Sequence, residues 1–273
     1  MTGRSPGSCA WASCTQAAPP MPSEAGNGRV VVLSPHPDDG VWSLGSGLAR
    51  WAPRQEIELL SLFAGDAPAG LTRARAPEQR WRCFSTPGQR RAEDRRAAAV
   101  LGYGCSNLEA ADGALRLDQG GGFAHASLQS LFLDSAPGSW PAPEAALVAA
   151  LQGFLRPQDV VCAPLAIGGH VDHCLTHRLA RELPNRVYFY SEFPYAEQLS
   201  QQALQGHVRA LGLQLQARDI ACSWPAWREA ALCYRSQVLM LFAGQGRFLQ
   251  ALQRHCRVQG DTAFCRIWST RAM

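Results

Sequence analysis

Two short clusters in this chain combine imidazoles with carboxylates: Ser34-Pro-His-Pro-Asp-Asp39 and Gly169-His-Val-Asp-His173. Catalytic zinc sites commonly take three protein ligands from His and carboxylate side chains and keep a fourth position for water. Two histidines and one aspartate drawn from these clusters meet that demand. Pro35 and Pro37 restrict the backbone around His36, so a ligand there is held without the cost of ordering a free loop. Asp38 and Asp39 are adjacent, and on an extended segment they point in different directions, so one can hold a metal while the other faces water as a general base. Each cluster alone has a plainer reading, the first as a turn that caps a following helix, the second as an acid-led helix start. Four of the seven histidines, His36, His170, His173 and His177, fall in or beside these segments. That concentration favours the chemical reading.

The elements that must carry the clusters are readable on either side of them. Arg29 to Ser34 is a continuous apolar run of β-branched residues, as in a strand buried on both faces of a parallel sheet. A helix from Trp42 to Trp51 and a strand from Ile57 to Phe63 complete a crossover unit. Ala64 to Gly88 holds Pro, Gly and Arg without a period and reads as a long loop overhanging the site. Arg90 to Leu101 has the composition of a good helix former, with Gly102 placed to stop it. A third strand is expected near Asn107 to Ala110, a helix over Glu144 to Leu155, and a second buried strand over Asp159 to Ala163, running into Pro164 and Gly168-Gly169. Asp172 to Glu182 reads as a helix and Arg186 to Tyr190 as a strand; the remainder from Ala196 is mixed, with one helix from Ala226 to Phe242. The alternating order predicts an α/β chain, a three-layer Rossmann-like fold with a mostly parallel sheet. Both clusters then sit at the carboxyl ends of strands, where open α/β sheets bind ligands.

With 47% hydrophobic and 18% charged residues in a chain of 273, the composition is that of a folded domain and excludes wholesale disorder. Residues 1–27 are rich in Ser, Ala, Pro and Gly and read as a disordered extension, leaving one domain over 28–273; Met1 and Met21 both offer a start. A net charge of +4 with scattered arginines gives no basic face for nucleic acid. No apolar stretch reaches the ~20 residues of a membrane span, and the first segment lacks the apolar core of a secretory signal. The ten cysteines show no C-x-x-C pair or regular spacing, which points to reduced thiols and a cytoplasmic protein.

The chain resembles the PIG-L/LmbE family of zinc-dependent N-acetylglucosaminyl deacetylases, in which a P-H-P-D-D loop and an H-x-D-H loop form the active site. Pro35 to Asp39 and His170 to His173 match those loops. Arg90 to Gly102 is similar to the family's R-x-x-E helix ending in Leu-Gly, and Tyr234-Arg-Ser-Gln237 to a later segment. The resemblance implies that His36, Asp39 and His173 bind Zn2+ and that Asp38 deprotonates the attacking water. It implies that a protonated His170, its ring oriented by Asp172, assists the tetrahedral intermediate, and that Arg90 and Asp112 contact the substrate. That substrate would be a small-molecule N-acetylated aminosugar or its conjugate, hydrolysed to acetate and a free amine. His177, one turn beyond His173, stays outside the metal set, as a neighbour of the ligands or a packing residue. The chain departs from many members in having Gly40 where they have Glu and Val171 where they have Pro. Two other readings stay open: an amidase with the same metal site acting on another N-acylated small molecule, and a non-catalytic sugar- or nucleotide-binding module. No G-x-G-x-x-G follows the first strand to support the latter.

Overall fold

Five residues, Val30–Ser34, form the fully buried strand β1, and their alternation explains the layering. Val30 and Val32 point into one apolar cluster and Val31 and Leu33 into another, so the sheet has a core on each face. The architecture comes from a computed structural model that describes residues 28–67, 81–82, 84–133, 137–213 and 215–270. The expected extension over 1–27, and most of the loop expected over Ala64 to Gly88, lie outside the described residues.

Seven strands form one sheet in the order β3-β2-β1-β4-β5-β7-β6. β1, β2 (Ile57–Ser61), β3 (Gly104–Asn107), β4 (Val160–Pro164) and β5 (Arg186–Tyr190) run parallel. β7 (Thr262–Thr270) returns antiparallel to β5, and β6 (Leu215–Ser223) pairs antiparallel to β7 at the edge. Helices α1 (Asp39–Trp51), α2 (Pro87–Leu101), α6 (Trp224–Ala231) and α8 (Gln245–His255) pack on one face; α3 (Ala145–Phe154), α4 (Val171–Arg181) and α5 (Gln201–Ala210) cover the other. This is the expected three-layer α/β fold with a mostly parallel sheet. α1 and α6 approach closely at Gly45, where a Cβ would meet the Trp227 indole at 2.0 Å. No described helix is long and apolar enough to cross a membrane.

Strand order reverses between β1 and β4, because the chain runs from β1 outward through β2 and β3 before returning to the far side of β1. Ligands bind at such switch points in open α/β sheets, and each of these two neighbours ends in one of the histidine-carboxylate clusters. Each is followed by a helix, α1 after β1 and α4 after β4 across the loop 165–170, so two helix amino termini carry partial positive charge to the same place.

The C-terminal part departs from expectation. Ala226 to Phe242 is two helices, α6 and α7 (Arg235–Phe242), broken at Leu232–Tyr234. Two buried carboxylates of α2 account for the break: Glu93 accepts from the Ser236 N–H at 3.0 Å and its hydroxyl at 2.6 Å, and Asp94 accepts from the Tyr234 hydroxyl at 2.6 Å. The Ser236 amide bonds a side chain in place of the preceding turn. α2 begins three residues before its expected start, because Thr86 caps it by accepting from the Gln89 N–H and Pro87 occupies its first turn. Its end at Gly102, in the left-handed region with φ 75°, is as expected.

Candidate active site

The loop from Pro35 to Asp38 turns sharply into α1, with Asp38 at φ 116°, a conformation few residues other than glycine adopt. The turn is stapled by Ser34, whose hydroxyl donates to the His36 carbonyl and accepts from the Gly40 N–H at 2.9 Å. A side chain at 40 would press on Leu59, 2.9 Å from the added Cβ, which explains why glycine suits this position in this chain. The second loop ends with His170 as the cap of α4, its Nδ1 accepting from the Asp172 N–H at 3.3 Å. The pairing assigns the His170 proton to Nε2.

His36, Asp39 and His173 come together. The Asp39 Oδ2 atom lies 3.1 Å from His36 Nδ1 and 3.2 Å from His173 Nε2. Two ligands at ~2.0–2.1 Å in a tetrahedral zinc shell stand about 3.3 Å apart, and each of these two separations is of that size. His173 Nε2 is buried, with the Asp39 carboxylate beside it. The His36, His170 and His173 rings also converge, with nitrogens within 4.8 Å of one another, as do His36, Asp112 and Asp172. Among the described residues, five buried or half-buried carboxylates, Asp38, Asp39, Asp112, Asp172 and Glu192, share the guanidinium groups of Arg90 and Arg116 and the imidazoles of His36 and His173.

Arg90 is not a solvated helix charge. It reaches Asp38 at 3.5 Å and Asp112 at 3.0 Å, and donates to the Pro37 carbonyl. Asp172, expected to orient His170, instead accepts from the Gly113 N–H at 2.8 Å, pairs with Arg116, and meets His36 Nε2 at 2.9 Å. The physical reason is the cap: Asp172 offers its backbone to His170, which frees its carboxylate to cross to His36. Glu192 and Arg116 contact His173 and Asp172, and motif reading did not find them. Glu192 follows β5 at its carboxyl end, a position the switch-point rule could have flagged; Arg116, in an irregular loop, carries no such signal.

Burial and charge set the protonation of the cluster. Burial lowers His36, yet Asp112, Asp172 and Asp39 outweigh it and hold the ring well above 6.5. His173, likewise opposed by burial, is raised to about 9 by Asp39 and Glu192. Burial works against an ionised Asp39, but His173 and His36 keep it well below the usual carboxylate range. Asp38 goes the other way, raised by burial and by Asp39 against the pull of Arg90. His170 is lowered to about 3 by burial and the adjacent His36. The resemblance implied a protonated ring here; burial and the neighbouring His36 favour the neutral ring.

A cavity opens above the cluster, lined by His36, Asp38, Asp39, Arg90, Asp112 and His170 at its base. Phe84, Leu128 and Leu241, three of the six exposed large apolar side chains among the described residues, line it further out.

Residues 31–183 match the model of the PIG-L, GlcNAc-PI de-N-acetylase, family. The chain belongs to this family. A 2'-N-acetylparomamine deacetylase of Streptomyces fradiae is 32% identical over 183 residues, 63% of this chain and 59% of that protein. The PIG-L chain thus matches about three fifths of that relative's length. Among solved structures, a deacetylase of the teicoplanin biosynthesis pathway has a TM-score of 0.64 at 23% identity, covering 88% of this chain and 96% of its own. The A40926 pseudoaglycone deacetylase Dbv21 has a TM-score of 0.62 at 21% identity, covering 90% of this chain and all of its own. These two likenesses concern the fold.

His177 is a packing residue in this PIG-L domain. Its Nδ1 donates to the Pro164 carbonyl at 2.8 Å and its ring lies 4.8 Å from Phe189. Burial lowers it to about 4. An unfolded chain binds that proton near 6.5, so acidification protonates the unfolded state first, and stability is complete above about pH 6.5 and lost between about 6.5 and 4. At pH 5 the loss amounts to roughly 2 kcal/mol. Urea unfolding at pH 7 and pH 5 should show a smaller fall for His177→Leu than for the parent by that amount; equal falls would remove His177 from the acid response.

Proposed function

We propose that this chain is a zinc-dependent hydrolase that removes the acetyl group from an N-acetylglucosamine-type aminosugar or its conjugate. The observation that carries the proposal is the placement of Asp39 Oδ2 between His36 Nδ1 and the buried His173 Nε2, at the base of a cavity that also holds Asp38. His36, Asp39 and His173 hold the ion, which when bound supplies Lewis acidity toward the amide carbonyl and toward water. The named activities of the relatives, on 2'-N-acetylparomamine and on the A40926 pseudoaglycone, support an aminosugar amide as substrate.

Asp38 takes the proton of the attacking water. Arg90, 3.5 Å away, keeps the Asp38 carboxylate available as a base. His170, neutral with its proton on Nε2, donates to the oxygen that becomes negative in the tetrahedral intermediate. The proton gathered by Asp38 passes to the departing nitrogen, leaving acetate and a free amine. Arg90 and Asp112, joined at 3.0 Å on the cavity wall, are the groups we assign to the sugar hydroxyls.

Acetate release from N-acetylglucosamine and 2'-N-acetylparomamine, assayed with a chelator and after zinc is restored, tests reaction and metal together. Activity abolished by the chelator and recovered with zinc is expected. No release from either compound, or from other N-acetylated aminosugars, in zinc-loaded protein would end the deacetylase reading.

The half-exposed Phe84, Leu128 and Leu241 at the mouth favour an aminosugar carried on an apolar group. An aryl glycoside that covers ~60 Å² of this surface gains about 1.5 kcal/mol at ~25 cal/mol per Å², on the order of tenfold in KM. Leu241→Ser should remove much of that advantage while leaving the free sugar unchanged. Identical KM values for the aryl glycoside and the free sugar in the parent enzyme would discard the rim as a determinant.

A further inference from the structure

Glu192 belongs to neither cluster, yet it is completely buried against one of them. Its Oε1 accepts from the Ile167 N–H at 3.1 Å and lies 3.2 Å from His173 Nδ1; its Oε2 is buried without a partner. A carboxylate in such surroundings is costly unless a charged or strongly polar partner offsets it. Among the described residues His173 is the side chain that does so.

The consequence for His173 is geometric. With Nδ1–H donating to Glu192, Nε2 is the nitrogen that can give up its proton to an ion, and it is the atom 3.2 Å from Asp39. Asp172 treats His36 the same way with the nitrogens exchanged: it meets Nε2 at 2.9 Å and leaves Nδ1 facing Asp39 at 3.1 Å. Two buried carboxylates from different parts of the fold, one after β5 and one in α4, thus turn the two rings so that their free nitrogens face a common point. Metal-bound histidines commonly hand their second nitrogen to a carboxylate, which fixes the tautomer and raises the ring's basicity.

We propose that Glu192 is a positioning residue for the metal centre: it holds His173 in the tautomer that presents Nε2 to the ion. The inference rests on the hydrolase reading above. It is separable from that reading because it concerns how tightly the ion is held by one ligand.

The test is the zinc dissociation constant of Glu192→Gln, measured at pH 7 by competition with a chromogenic chelator, beside the parent and Glu192→Leu. Gln keeps the size and an acceptor for the Ile167 N–H but removes the charge, and a loss on the order of tenfold in affinity is expected. Leu removes both, and the expected loss approaches 100-fold. The thermal shift produced by saturating zinc should shrink in the same order, because a ligand stabilises in proportion to the logarithm of its affinity. If Leu does not fold, Gln alone carries the comparison. A Glu192→Gln variant that binds zinc as tightly as the parent, whatever its melting temperature, would reduce Glu192 to support for the Ile167 loop and overturn the proposal. A parent protein that binds no zinc at all would sink the hydrolase reading instead.

Discussion

Asp38→Asn should lower kcat by about 10²- to 10⁴-fold, the usual contribution of a positioned general base, while zinc content stays that of the parent. Asn is isosteric with Asp and keeps a polar group beside Arg90, but it accepts no proton from water. The backbone makes the variant unusually clean. Asn has the size and branching of Asp, so the change adds no steric demand to the φ 116° backbone at position 38. Asp38 also stands outside the proposed metal triad, since Asp39, not Asp38, faces His36 and His173. An inactive variant that retains zinc and unfolds at the parent's temperature therefore reports lost chemistry. Parent-like turnover would take Asp38 out of the reaction and shift the role of base to another carboxylate at the cavity floor, Asp112 first.

The two motif loops were readable because their local signals are strong and agree. Apolar β-branched runs announce β1 and β4, and the residues that follow them, Pro-His-Pro-Asp-Asp and His-Val-Asp-His, are too unusual in composition to pass for ordinary turns. Boundaries were harder. The apolar period of α1 starts at Trp42, but the helix starts at Asp39 because the Asp38 carbonyl already accepts from the Trp42 N–H. β3 lies a few residues earlier than its composition indicates, over Gly104–Asn107, because it pairs with β2 along its polar edge.

What no local pattern could carry is the wiring between distant side chains. Asp172 reaches a ring 136 positions away, and motif proximity pointed to His170, its neighbour. The break between α6 and α7 is imposed by Glu93 and Asp94, more than a hundred residues upstream. β6 and β7 complete the sheet beyond β5, yet β6 is an edge strand whose side chains are mostly half-buried, so its sequence lacks the contrast that marks a strand. The scaffold was therefore more legible than the electrostatic arrangement it supports. The histidines that converge could be read from a motif, but not the carboxylates that contact their outer nitrogens.

Asp159→Ala should be the most damaging single change outside the site. Asp159 and Arg29 precede β4 and β1, and their side chains form a buried pair at 3.0 Å. Arg29 also donates to the Phe154 carbonyl at 2.7 Å and lies over the Phe154 ring, while Asp159 accepts from the Arg156 N–H at 2.9 Å. Removing the carboxylate leaves a guanidinium buried without its counter-ion, which costs about 3–5 kcal/mol. In a chain of this size that is a fall of roughly 6–20 °C in Tm. The pair joins the amino ends of the two strands whose carboxyl ends carry the clusters, about 17 Å away along five residues of β-strand. The folded fraction of the variant should therefore keep parent kcat and zinc affinity at 25 °C. Adding Arg29→Met, which removes the stranded charge, should restore much of the lost stability. A double variant no more stable than Asp159→Ala would show that the damage comes from the lost Arg156 and Phe154 contacts and not from an unpaired charge.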